Sequence, residues 1–186
     1  MALQRLACFG DSLFAGYGLP AARALPARLE ALLRADGREL RALNLGISGE
    51  TSADGLRRLD DVLANSPRAT LLEFGANDCH QLVPPEETEG NLAAMATGLR
   101  RTGSAVLLVG VRALPWVDEA YGREFQALFP RLSARLGLPL YPDILEPYFG
   151  DPALTLPDGL HPNALGVEAM TASLLPWVEA LLDGPA

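Results

Sequence analysis

Five short apolar runs, Leu6–Phe9, Leu40–Leu45, Thr70–Phe74, Ala105–Val111 and Pro139–Tyr141, alternate with segments of helical periodicity, and this alternation constrains the chain more than any other feature. Each run is continuous and bounded by Gly, Pro, Asn or Asp, which is the pattern of a strand buried on both faces. The intervening segments Ala22–Ala35, Ser52–Ala64, Glu86–Arg101, Glu119–Leu136 and Asn163–Leu182 read as helices, and Gly37, Gly103 and Gly137 close three of them. Strands alternating with helices lie parallel and are joined by right-handed crossovers. A three-layer α/β/α domain around a parallel five-stranded sheet is therefore predicted.

The third helix shows how local chemistry agrees with this pattern. Pro84-Pro85 opens its first turn, Glu86, Glu87 and Glu89 suit its positive end, and Arg100-Arg101 suit its negative end. Leu92, Met95, Ala96 and Leu99 fall at i, i+3, i+4 and i+7, which gives one apolar face to lay on a sheet. The 186 residues contain no repeat and no linker, so residues 1–186 are expected to form a single domain. The exception to the alternation is 142–162, where Pro142, Pro147, Pro152, Pro157 and Pro162 mark a long ordered loop at the sheet edge.

Composition removes several classes of function. The net charge is -8 and the 15 basic residues are dispersed, so nucleic acid is not an expected partner. No continuous apolar stretch reaches the roughly 18 residues of a spanning helix, and the first residues lack the apolar core of a secretory signal. As written the chain reads as cytoplasmic; a chain starting at a processed terminus would be periplasmic or secreted. A monomer or weak homo-oligomer is expected. Two cysteines and two histidines, His80 and His161, supply neither a disulfide framework nor a zinc quartet, so no metal is expected. Cys8 lies in the first apolar run and reads as a small buried hydrophobe, whereas Cys79 falls in a polar stretch where a reactive thiol is the alternative.

The chemistry concentrates at strand ends. Gly10-Asp11-Ser12-Leu13 follows the first strand and presents a hydroxyl where ligands bind in open α/β sheets. Taken alone it is equally a turn or a helix cap. A serine needs a base, and Asp158-Gly159-Leu160-His161 offers one: a carboxylate three residues before a histidine folds back across a glycine turn to accept from Nδ1–H, leaving Nε2 free. His80 has no such partner. Ser12, Asp158 and His161 thus fill the nucleophile, orienting-acid and base roles in chain order. Oxyanion donors are expected from the Ser12 N–H, from the N–H of Gly46 after the second strand, and from the side-chain amide of Asn77 after Gly75. Glu73, a carboxylate in an apolar run, is expected to be partly buried with a raised pKa and is assigned a structural hydrogen bond. His80 is read chiefly as loop surface. Leu114, Pro115, Trp116 and the Asn77–Leu82 loop are expected to border an acyl cleft.

Gly10-Asp11-Ser12-Leu13, Gly46, Gly75-x-Asn77-Asp78 and Asp158-x-x-His161 resemble the four blocks of the SGNH, or GDSL, hydrolases. Residues 46–52 and Tyr121-Gly122-Arg123-Glu124-Phe125 are similar to its bacterial branch of thioesterase, protease, lysophospholipase and arylesterase activities. The resemblance spans nearly the whole chain. It implies a flavodoxin-like fold, no cofactor, and hydrolysis of small-molecule esters and thioesters through an acyl-enzyme on Ser12. The chain departs from many relatives at Ala76, where they carry glycine, and at Cys79-His80-Gln81, in a variable loop. A carbohydrate O-acetylesterase of the same fold is the alternative substrate class. A non-catalytic lipid- or nucleotide-binding module is the remaining one, and the nucleotide reading fails on residues: Leu19-Pro20 stands where a phosphate loop needs Lys-Ser/Thr, and Ala21 fills the last glycine slot after Gly16-x-Gly18.

Overall fold

In the computed structural model, which describes residues 3–184, each apolar run forms a strand and each following segment crosses back over the sheet. The strands β1 (Gln4–Gly10), β2 (Leu40–Gly46), β3 (Ala69–Glu73), β4 (Ala105–Val109) and β5 (Leu140–Tyr141) stand in the order β2-β1-β3-β4-β5. All neighbours run parallel. This is the flavodoxin order, in which connections leave in opposite directions on the two sides of β1 and open a crevice at the carboxyl ends of β1 and β3. Gly10 pairs with Gly46 and Phe9 with Leu72, so the loops after β1, β2 and β3 leave the sheet at nearly one level.

Central and edge strands differ for a physical reason. Every residue of β3 is buried because helices cover both faces, whereas β2 has one neighbour and stays largely half-exposed. Phe9, Leu71, Leu72 and Phe74 are fully buried, each burial worth about 1.5–3 kcal/mol. The layers are built from α1 (Ser12–Ala15), α2 (Leu25–Ala35), α3 (Ser52–Arg57), α4 (Leu59–Leu63), α5 (Ala76–His80), α6 (Pro85–Arg101), α7 (Glu119–Leu136) and α8 (Ala164–Asp183). In α6 the buried residues include Leu92, Met95, Ala96 and Leu99, the face that the periodicity predicts.

Three local readings change. The helix expected from Ala22 begins at Leu25, after a separate 3₁₀ turn, because Ala24 is extended and Pro26 occupies the first turn. The helix expected over Ser52–Ala64 breaks at Arg58, whose backbone sits at φ -108, ψ 17. A tertiary demand causes the break: the Arg58 guanidinium donates to Glu50 Oε2 at 2.6 Å and to the Gly10 carbonyl at 3.1 Å, and lies 4.7 Å over the Phe9 ring. Finally, α8 is long and apolar enough, by length and composition, to cross a membrane, with a mean hydropathy of 1.3 over its most apolar window. Scattered glycines and polar residues hide this from a search for an unbroken run. In the fold α8 packs against α2 and β4 and buries Val167, Met170, Leu174 and Val178 along one face, while Leu165 and Trp177 stay exposed.

The Pro-rich loop is folded rather than loose. Leu156 N–H donates to the His161 carbonyl and Asn163 N–H to that of Leu154, each at 2.8 Å, and Thr155 bridges Pro162. This makes a small hairpin whose tip carries Gly159 in the left-handed region, φ 68. Its far arm returns directly into α8, capped by Asn163.

Candidate active site

Ser12 is the first residue of α1, and the sharp turn that places it there depends on its two predecessors. Asp11 caps the helix by accepting Leu13 N–H at 3.0 Å. Gly10 is obligatory, since a Cβ would meet the Glu73 carbonyl and carboxyl oxygens at 2.5 Å. The Ser12 side chain opens into a cavity of about 250 Å³ at the crevice.

The hairpin tip delivers the histidine. Asp158 Oδ1 accepts the N–H groups of Leu160 and His161 at 2.9 and 3.0 Å, closing the turn, and its Oδ2 lies 2.7 Å from His161 Nδ1. His161 Nε2 lies 3.1 Å from Ser12 Oγ. Burial works against the Asp158 charge, but the hydrogen bonds from the imidazole and the two N–H groups outweigh it and hold the carboxyl below its usual range. The structure therefore brings Ser12, Asp158 and His161 into one hydrogen-bonded line.

The expected oxyanion donors fare differently. The Gly46 N–H is already donated, to Asn44 Oδ1 at 3.1 Å, and the Gly46 Cα presses against the backbone of residues 11–15. Gly46 thus serves close packing of β2 against α1, and the expectation that its N–H faces the cleft is corrected. Asn77 does reach the cleft, where its Nδ2 donates to the Glu50 carbonyl at 2.8 Å and to Asp11 Oδ2 at 3.2 Å. Among the described residues, nothing accepts the N–H groups of Ser12 or of Gly49. Gly49, three residues after Gly46, has a left-handed φ of 86, the conformation glycine permits.

The cavity wall is mostly apolar. Leu114, Trp116, Asn77 and His80 line it as part of the expected border, and His80 sits edge-on to Trp116 at 6.1 Å, so it faces the cavity rather than only the loop surface. Leu145, Tyr148, Phe149 and Leu160 complete the wall from the Pro-rich loop. The apolar cluster within that loop was the available signal for them. A more open hollow of about 680 Å³, between Arg100, Gly137 and Trp177, lies away from these groups.

Other expectations are settled by burial. Cys79 is fully buried in α5, accepts the Leu114 N–H at 3.3 Å, and burial pushes its thiol pKa up, which removes the reactive reading. Cys8 is buried as expected. Asp78 accepts from Ser52 N–H and the Thr88 hydroxyl at 2.9 and 3.0 Å, tying α5 to α3 and α6. Glu73 is fully buried and accepts the Asp11 N–H at 3.2 Å.

Comparison with known proteins agrees with this geometry. The model of the GDSL-like lipase/acylhydrolase family matches residues 8–169. The chain is 33% identical to esterase TesA of Pseudomonas aeruginosa over 97% of its own length and 90% of that protein. It is also 33% identical to an arylesterase of Vibrio mimicus, over 87% of this chain and 82% of that one. The crystal structure of the esterase EstA of Pseudoalteromonas sp., inhibited by monoethylphosphonate, superposes with a TM-score of 0.92 at 26% identity, covering 97% of this chain and all, 100%, of that one. A strand-end serine answered by an Asp-x-x-His hairpin, a family model spanning most of the chain and relatives alike over nearly their whole length place this protein in the GDSL-like lipase/acylhydrolase family.

Proposed function

We propose that this protein hydrolyses carboxylic esters and thioesters with small to medium acyl groups, through an acyl-enzyme on Ser12. The observation that carries the reading is the continuous line from Asp158 through His161 to Ser12 Oγ, with contacts of 2.7 and 3.1 Å. A serine hydroxyl is a weak nucleophile until a positioned base takes its proton. His161 Nε2 accepts that proton as Oγ attacks the acyl carbon, and Asp158 holds Nδ1–H and stabilises the imidazolium that forms. The imidazolium then returns the proton to the leaving oxygen or sulfur. Water, activated by the same nitrogen, attacks the acyl-serine, and the second collapse frees the acid and restores Ser12.

Charge on the tetrahedral oxygen needs preset donors. The unengaged N–H groups of Ser12 and Gly49 supply two, and Gly49 takes the role first expected of Gly46. Asn77 supplies the third through the Nδ2–H that reaches Asp11 over the longer of its two contacts, 3.2 Å. The acyl chain lies against Leu114, Trp116 and Phe149, and a cavity of about 250 Å³ suits short to medium chains.

The test is Ser12→Ala on p-nitrophenyl esters. Turnover is expected to disappear while the fold persists, and wild-type turnover in the variant would refute the reading. Acyl-CoAs, aryl esters and lysophospholipids of graded chain length then rank the leaving groups.

A further inference from the structure

Two carboxyl groups lie behind the Ser12 turn, Asp11 at the cap of α1 and Glu73 at the end of β3, and the reaction proposed above uses neither. Asp11 and Glu73 are both fully buried and adjacent, the Asp11 N–H donating to Glu73 Oε2 at 3.2 Å. Asp11 is well supplied with donors: Oδ1 accepts Leu13 N–H and Oδ2 accepts Asn77 Nδ2–H. Glu73 accepts only the Asp11 N–H through Oε2, and its Oε1 is buried without any partner.

Among the described residues no arginine pairs with either carboxyl. Arg58 is committed to Glu50 and to the Gly10 carbonyl, and His161, whose cation would favour ionised Asp11, is committed to Asp158 and Ser12. Asp78, the other carboxylate facing the pair, is buried and adds repulsion, and the Tyr148 hydroxyl that also feels these charges donates instead to the Leu160 carbonyl. Two carboxylates so close and so dry do not both ionise. Asp11, with two N–H donors, is the better place for the charge, and Glu73, with a bare oxygen, is the better place for a proton.

We propose that Glu73 is a neutral acid that donates its proton to Asp11, and that this acid pair positions the Asn77 amide while keeping one negative charge, rather than two, behind the Ser12 turn. Asp11 aims Asn77 by accepting one of its N–H groups. The proton from Glu73 tempers that carboxylate, so the N–H remains able to turn toward the stronger charge of a tetrahedral intermediate. A second buried charge would repel that intermediate in a low-dielectric site. The effect of the pair on Asn77 rests on the hydrolase reading; the proton on Glu73 does not.

Carbon-13 NMR of the side-chain carboxyls decides the protonation state in the wild-type protein. One glutamate signal is expected in the neutral-acid range at pH 7 and absent from Glu73→Gln; a spectrum in which every glutamate is ionised at pH 7 overturns the proposal. Thermal stability provides an independent reading. Above the ordinary carboxyl range, the folded state keeps a proton on Glu73 that the unfolded state has lost, so wild-type stability falls as pH rises. Glu73→Gln, neutral at every pH and able to donate to Asp11, is expected to exceed the wild type in Tm by a margin that grows from pH 5 to pH 8; a margin constant with pH overturns the proposal. Glu73→Gln is also expected to restore at least tenfold of the kcat lost in Glu73→Ala. Equal rates in those two variants overturn the positioning role, whereas full turnover by Ser12→Ala overturns the hydrolase reading instead.

Discussion

The Tyr17 ring lies over the His161 imidazole, with centroids 4.3 Å apart and planes tilted by 35°. Tyr17 belongs to the loop after α1, between Gly16 and Gly18, both in the left-handed region at φ 81 and 73, and its N–H donates to the Ser12 carbonyl at 3.3 Å. It therefore joins the serine loop to the histidine hairpin. An aromatic face stabilises the cation that His161 becomes during attack by about 0.5–1 kcal/mol at an exposed site. Tyr17→Ala is expected to lower kcat/KM about 2–5-fold, while Tyr17→Phe keeps the wild-type value, since the face and not the hydroxyl makes the contact. Equal losses in the two variants, measured on one aryl ester, would contradict this.

Asp158→Asn separates orientation from folding. Its amide oxygen still accepts the Leu160 and His161 N–H groups, so the hairpin and its Tm are expected to persist. The imidazole loses its charged acceptor, and kcat is expected to fall about 10³–10⁴-fold. The Asp158 carboxyl lies below its ordinary range, so its contribution is present above the unfolded value and is lost only as pH falls through the lower, folded one.

Gly46 and Gly49 make opposite predictions. A Cβ on Gly46 would meet Ala15 N at 2.3 Å and the Asp11 carbonyl at 2.7 Å, both backbone atoms that cannot yield cheaply. Gly46→Ala is expected to cost about 1–3 kcal/mol, or about 2–12 °C in Tm. A Cβ on Gly49 meets nothing within 4 Å, so only its positive φ resists the change. Gly49→Ala is expected to lower kcat about tenfold or more through its effect on an oxyanion donor, with a smaller loss of Tm than Gly46→Ala. Thermal melts and initial rates on both variants check the contrast.

Cys79 is expected to resist thiol reagents in the native protein and to react only on unfolding, because its sulfur is buried behind the Leu114 N–H. Rapid labelling of a native thiol at Cys79, located by mass spectrometry, would contradict its placement.

Much of this molecule was legible in the amino-acid sequence because short apolar runs and helical stripes encode it locally. The five strands, the apolar face of α6 and the strand-end positions of Ser12 and Asn77 follow from periodicity and turn residues. Asp158 and His161 were legible as a pair because three residues of chain suffice to bring them together. Distances across the chain were not. The 3.1 Å contact between His161 and Ser12 spans 149 residues, and the sheet order together with the folded hairpin sets it. The break at Arg58 arises because its side chain is claimed by Glu50 and Gly10, which outweighs a helix-forming sequence. Gly46 and Gly49 share the same local glycine signal, and only packing against α1 uses up the space around one and leaves the other open. Burial, likewise, decided Cys79, since a polar stretch of sequence lies at the surface or in the core according to which layer covers it.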